Sequence, residues 1–154
     1  MVADEIGTVA LMSIHPRYSQ RILFGKKTVE FRKRALKKDV THVVVYETSP
    51  TKRVVGFFVV EAIDQSHPSE IWRKYARQGG VASHLFWEYF RGRETAAAIR
   101  IKDVVALPDP IGLEDVLGKN SPPQSYCYIT NAHFQRVLDQ IPDYAKQEVS
   151  QPLG

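Results

Sequence analysis

Apolar and polar positions along this chain follow two periods, one of two residues and one near 3.6. Thr8–Ile14 is short and almost wholly apolar, the pattern of a strand covered on both faces. Pro16 then suits the first turn of a helix, where its missing N–H costs nothing. Tyr18 and Ile22 stand four apart on one face of that helix, Arg17 and Arg21 on a neighbouring face, and Gly25 predicts a left-handed stop. Residues 28–34 alternate, with Val29 and Phe31 pointing one way and Thr28, Glu30, Arg32 and Arg34 the other, which predicts a strand with one polar face.

Residues 40–46 and 53–63 are β-branched and aromatic and predict two more strands. Ser49-Pro50-Thr51 between them reads as the turn of a hairpin, and Gly56 predicts a bulge or a close backbone approach. Helices are expected over 68–77 (Ile71, Trp72, Tyr75), closed by Gly79-Gly80, and over 83–91 (Leu85, Phe86, Tyr89, Phe90). Residues 95–107 return to strand, and Pro108, Pro110, Pro122 and Pro123 mark irregular stretches. A last strand over Tyr126–Ile129 and a last helix over 131–140 complete about six strands and four helices. Strands dominate the middle, which favours an α+β fold: a small β-barrel with flanking helices.

The 154 residues suit one domain spanning 1–154, with its core over about 8–141 and frayed residues 149–154. With 44% hydrophobic and 25% charged residues, wholesale disorder is excluded. The single cysteine, Cys127, excludes an internal disulfide and a multi-cysteine zinc site, and reads as a small buried hydrophobe. No run reaches the ~20 apolar residues of a spanning helix. The first residues, with Asp4 and Glu5, do not read as a signal peptide, so a cytoplasmic protein without membrane contact is expected.

Charge changes the picture more than composition does. The net charge of +4 conceals a split: residues 15–53 hold eleven basic side chains against three acidic, a net +8, and the remainder is −4. Concentrated positive charge focuses a field and displaces counterions from a phosphate backbone. The plainer reading is a solvated basic hairpin. No phosphate-cradling glycine loop, G-x-S-x-G elbow or paired histidine ligands occur, so no cofactor or metal is expected, and any chemistry must come from residues the fold brings together.

The segment LMSIHPRYSQRILFGKKTVEFR, Leu11 to Arg32, resembles the signature of the ASCH domain, a PUA-like family whose turn reads approximately GxKxxExR. The resemblance continues through Tyr46-Glu47-Thr48-Ser49-Pro50, Val54-Val55-Gly56, Ile71-Trp72, Tyr89-Phe90-Arg91-Gly92 and Pro122-Pro123-Gln124-Ser125-Tyr126. It implies a PUA-like barrel and a partner that is RNA or a nucleotide-like ligand. Three further possibilities accompany that resemblance: a metal-independent ribonuclease, an amidohydrolase acting on acetylated cytidine, and a ligand-sensing transcriptional or translational regulator. At the position where the short deacetylating relatives carry a threonine, this chain has Glu30.

Each candidate residue has a functional and a plainer reading. Lys27 is a phosphate contact or catalytic ammonium, or it neutralises a helix end. Glu30 accepts from a base edge or orients Lys27, or it pairs with Arg32; surrounded by cations, it is expected to stay ionised. Arg32 clamps a phosphate or pairs with Glu30. Tyr18 stacks on a base or belongs to the core. Ser49 touches a ligand or only shapes the turn. Arg17, Arg21, Lys26 and Thr28 complete the expected binding surface, and Lys27, Tyr46 and Ser125 would be the catalytic set of an enzyme. Trp72, Trp87, Tyr89 and Phe90 have helical spacing and read as core, with base-stacking platforms as the functional alternative. On this basis, Lys27→Ala and Glu30→Ala should impair function and leave stability nearly unchanged.

Overall fold

The computed structural model describes residues 5–142, so the expected fraying of residues 149–154 lies outside them. In chain order the elements are β1 (Thr8–Ile14), α1 (Pro16–Leu23), β2 (Val29–Arg32), β3 (Val40–Glu47), β4 (Arg53–Ser66), α2 (Pro68–Tyr75), α3 (Ser83–Tyr89), β5 (Ala96–Ile111), α4 (Leu113–Leu117), β6 (Tyr126–Ile129) and α5 (Asn131–Leu138). The six strands form one sheet in the order β2-β5-β4-β3-β1-β6. β1 runs parallel to β3, and the other neighbours are antiparallel.

No ladder among the described residues joins the edge strands β2 and β6. Laid flat, those edges would stand about 24 Å apart, five spacings of ~4.8 Å. Yet Nη2 of Arg32, on β2, lies 3.0 Å from the carbonyl oxygen of Ser13, and Nη1 lies 3.1 Å from Oγ of Ser125, just before β6. The sheet is therefore rolled into a barrel that a side chain, and not a backbone ladder, closes at this point. Bulges supply the bend: register shifts occur between Val45 and Tyr46 in the β3–β4 pair, and between Val54 and Gly56, Val59 and Val60, and Val60 and Ala62 in the β4–β5 pair. Gly56 is required there, because a Cβ would overlap the Val105 carbonyl oxygen.

Side chains alternate between two cores. Ala10, Met12, Ile14, Val43, Val45 and Phe58 fill the inner face with Ile22 of α1. Val9, Leu11, Val44, Tyr46 and Phe57 face outward beneath α4 and α5, against Leu113, Val116, Phe134 and Val137. Helix α4 is the one element the sequence reading lacks. Five residues between Gly112 and the left-handed Gly118 (φ 79°) are too few to show a period, and the neighbouring prolines read as loop. A third cluster seats α2 and α3 on the outward residues of β2. Phe86 is its centre, with ring centroids 5.0 Å from Phe31, 4.7 Å from Trp72 and 4.6 Å from Phe90.

Candidate nucleic-acid interface

Three short-range features place the site. His15 caps α1 through Nδ1, which accepts from the Arg17 N–H at 3.1 Å, and Pro16 follows in the first turn. At the other end, Gly25 (φ 76°) turns the chain so that the N–H groups of Lys26 and Lys27 both reach the Arg21 carbonyl, at 2.8 and 3.1 Å. The chain then enters β2, whose period of two turns Glu30 and Arg32 inward, opposite Ile99 and Ala97 of β5. The polar face read from the sequence is thus the inside of the barrel mouth.

Lys27 is 1% exposed, the largest fully buried side chain described. Its Nζ donates to the Gly79 carbonyl and stands 3.3 Å from Oε1 of Glu30. Oε2 of Glu30 accepts from Nε of Arg32 at 3.0 Å and pairs with Nη2 at 2.9 Å. One buried carboxylate therefore serves two cations, and the group carries excess positive charge. Rings wall it in, with the Tyr18 and Phe31 centroids 5.5 and 5.3 Å from Lys27 Nζ. These residues, with His15, Val81, Leu85, Phe86, Tyr89 and Phe90, line a pocket of about 280 Å³.

Burial is the strongest influence on both ends of the pair. It lowers the Lys27 pKa below its ordinary 10.5, and the attraction of Glu30 recovers part of the fall. It would raise Glu30, but Lys27 and Arg32 together outweigh it and hold the carboxyl below its ordinary 4.5. With a depressed folded-state value, Glu30 contributes stability that is complete above pH 4.5 and is lost as pH falls through the lower value. For Lys27 the same direction means that the folded state disfavours its proton, so stability rises as pH climbs through the depressed value toward 10.5. The stability gap between wild type and Glu30→Gln is therefore expected to narrow below pH 4.5 in acid-dependent melts. A gap independent of pH would contradict the ionised pair.

Gly79 matters twice. Its carbonyl holds Lys27, and a Cβ there would overlap the Phe31 ring. Gly79→Ala is expected to cost about 1–3 kcal/mol in denaturant unfolding, the usual range for overpacking. Unchanged stability would show that the ring has room to move. The glycine pair also stops a helix, as read from the sequence, with Gly80 at φ 61°. The close approach to Phe31 and Lys27 left no separate sequence signal.

The structure brings Lys27, Glu30, Arg32 and Tyr18 to one pocket. Arg21 sits at its rim, donating to the Gly80 carbonyl at 2.5 Å with its guanidinium 5.8 Å from the Tyr18 ring. Ser125 joins through Arg32. Arg17, Lys26 and Thr28 are exposed and do not line the pocket. Ser49 is exposed in the β3–β4 turn, before a cis Ser49–Pro50 peptide. Tyr46 is 4% exposed in the outer core, on the opposite face of the sheet from Glu30. Tyr89, read as core, instead lines the pocket with 41% of its surface exposed, and Lys33 Nζ lies 4.6 Å from its ring centroid. Arg32 has little of its donor set to spare for a phosphate, because Glu30, Ser13 and Ser125 already occupy it. Glu47, whose role the sequence does not show, is buried and accepts from Ser19 of α1 at 2.5 Å and from Thr51, pinning α1 to the hairpin.

A sequence profile of the ASCH domain matches residues 12–105. The chain belongs to the ASCH-domain family. Among relatives of this ASCH domain, the "ASCH domain-containing ribonuclease" of Zymomonas mobilis is 32% identical over 133 residues, covering 84% of this chain and 89% of that one. A crystal structure of ASCH from Zymomonas mobilis superposes with a TM-score of 0.79 at 31% identity, covering 85% of this chain and 94% of that one. Two further structures of that protein carry a serine-to-alanine and a tyrosine-to-phenylalanine substitution. The ribosomal protein uL22 of Ureaplasma parvum is 33% identical over 114 residues; these are 73% of this ASCH domain but 36% of that protein. Among the described residues, no cluster of His, Cys, Asp or Glu could hold a metal ion, and no helix is long and apolar enough to cross a membrane.

Proposed function

We propose that this ASCH domain binds single-stranded RNA and takes one unstacked nucleotide into the pocket between Tyr18 and Tyr89. The observation that carries this reading is the buried Lys27–Glu30–Arg32 group, a net cation at the wall of an aromatic-lined cavity. An ammonium has three N–H donors. Gly79 and Glu30 engage two, which leaves one for a ligand oxygen inside a low-dielectric site. A pocket of about 280 Å³ is at the small end of ligand cavities and suits a single base with its sugar. Unstacked bases held against aromatic rings are the usual means by which proteins read RNA.

The name of the Zymomonas mobilis relative favours a second reading, metal-independent cleavage of the bound strand. In that reaction a base takes the 2′-hydroxyl proton, the 2′-oxygen attacks phosphorus, and the 5′-oxygen leaves with a proton. Lys27, with its lowered pKa, is the group suited to the proton or to the developing charge, and the Ser125 hydroxyl stands across Arg32 from it. Tyr46, 4% exposed in the core on the opposite face of the sheet, does not line this pocket.

The test is a titration of end-labelled single-stranded RNA in chelator, followed for both binding and products. Affinity is expected to fall by ~0.7 log units per phosphate contact for each decade of salt. Affinity that ignores salt, or no affinity for RNA, would overturn the binding reading. Shortened products in chelator would establish the cleavage reading, and an intact strand would overturn it.

A further inference from the structure

We infer that the RNA strand continues from the pocket along the seam between β6 and the loop after β2, over tyrosine rings and adjacent cationic side chains, so that the preferred ligand is about four nucleotides long. The inference rests on the nucleotide reading of the pocket. Its basis is the sheet register. On β1 the inner-face row runs Ile14, Met12, Ala10, and Ile14 lines the pocket. Tyr126 lies opposite Met12, half-buried against the inner core, and the more exposed Tyr128 lies opposite Ala10, so the two rings step away from the pocket along the outermost described strand.

Cations accompany those rings. Tyr126 follows Ser125, the partner of Arg32 in the pocket wall; burial and the Tyr128 hydroxyl raise its pKa, and Arg34 and Arg32 oppose that rise. The Tyr126 and Tyr128 rings lie 5.7 Å apart at 68°, and Tyr128 keeps 37% of its surface exposed. Lys37 Nζ stands 4.7 Å from the Tyr128 ring centroid, and the Lys37 N–H donates to the Tyr128 hydroxyl at 3.1 Å. The loop after β2, rich in lysine and arginine, thus runs beside the tyrosines of β6, where no further strand pairs among the described residues. Stacking faces tolerate any base, and adjacent cations neutralise the phosphates between them, which is how proteins track a single strand. From Ser125 to Tyr128 the strand advances ~10 Å. That is about three nucleotides at ~3.4 Å per stacked step, beyond the one in the pocket.

The test uses the whole chain with nucleoside 3′-monophosphates and with 2′-fluoro oligouridylates of two, four and eight residues, which cannot be cleaved through the 2′ position. Wild-type affinity is expected to rise from one to four nucleotides and then level off. Tyr128→Ala should weaken the octamer about fivefold or more and leave mononucleotide binding as in wild type. Tyr128→Phe, which keeps the ring and its Lys37 Nζ neighbour and loses only the hydroxyl's bond from the Lys37 N–H, should retain octamer affinity. Affinity independent of length, or Tyr128→Ala equal to wild type on the octamer, would overturn the stripe while leaving the pocket. Octamer binding lost in Tyr128→Ala but intact in Lys27→Met would overturn the pocket reading instead. No binding of any probe would overturn both.

Discussion

Replacing Glu30 with alanine is expected to destabilise the protein by about 3–5 kcal/mol, read as a lowered midpoint in denaturant unfolding. The substitution leaves Lys27, 1% exposed, and Arg32, with its side chain 12% exposed, facing each other without their shared carboxylate. An uncompensated buried charge is among the few single changes that cost this much. Native stabilities run to only ~5–15 kcal/mol, so the loss is a large part of the whole. The Glu70–Arg73 pair on α2 provides the contrast. Both side chains lie in solvent, and Glu70→Ala is expected to leave the midpoint near that of wild type. Equal effects of the two substitutions would show that burial does not govern the Glu30 site.

Lys27→Met is expected to separate folding from binding. Methionine fills similar volume, leaves the Glu30–Arg32 pair intact and removes the burial cost of an ammonium. What it loses is the donor to the Gly79 carbonyl and the partner of Glu30 Oε1; each unpaired buried acceptor costs ~1–3 kcal/mol, partly offset because no ammonium is buried. The variant should therefore fold, with a smaller stability loss than Glu30→Ala. It should also bind single-stranded RNA ~10- to 100-fold more weakly, because a charge-assisted contact worth ~1.5–3 kcal/mol disappears. A folded Lys27→Met protein with wild-type RNA affinity would show that Lys27 serves the fold alone.

These two expectations revise what the sequence supports by itself. From the chain alone, Glu30 stands on the polar face of an alternating strand, and such faces ordinarily meet water. The alternation was legible; that the sheet rolls, so this face turns inward, was not. Rolling depends on bulges in β3, β4 and β5, of which Gly56 was the only local sign. The local signals were sound where their cause was local. Gly25 stops α1, Pro16 starts it, and the apolar run of β1 is buried on both faces.

Residues whose place depends on distant partners were harder to read. Tyr46 shares the β3–β4 hairpin with Ser49, which suggested one site, yet its period places it under α4 and α5. Tyr89 has the spacing of a core residue on α3 and still reaches the pocket, because Phe86 and Phe90 carry the packing beside it. The Gly79 carbonyl, which holds Lys27, belongs to the backbone and leaves no trace in residue type. Basic residues were legible as a cluster, but only the structure separates the buried Lys27 from exposed neighbours such as Lys26.

The most direct test of the central claim is photo-crosslinking of a 4-thiouridine-containing single strand to the wild-type protein, with the attached peptides mapped by mass spectrometry. Adducts are expected at the pocket rings, Tyr18, Phe31 and Tyr89, and should diminish in Lys27→Met. Adducts confined to the outer face around α4 and α5, with none in the pocket, would contradict it.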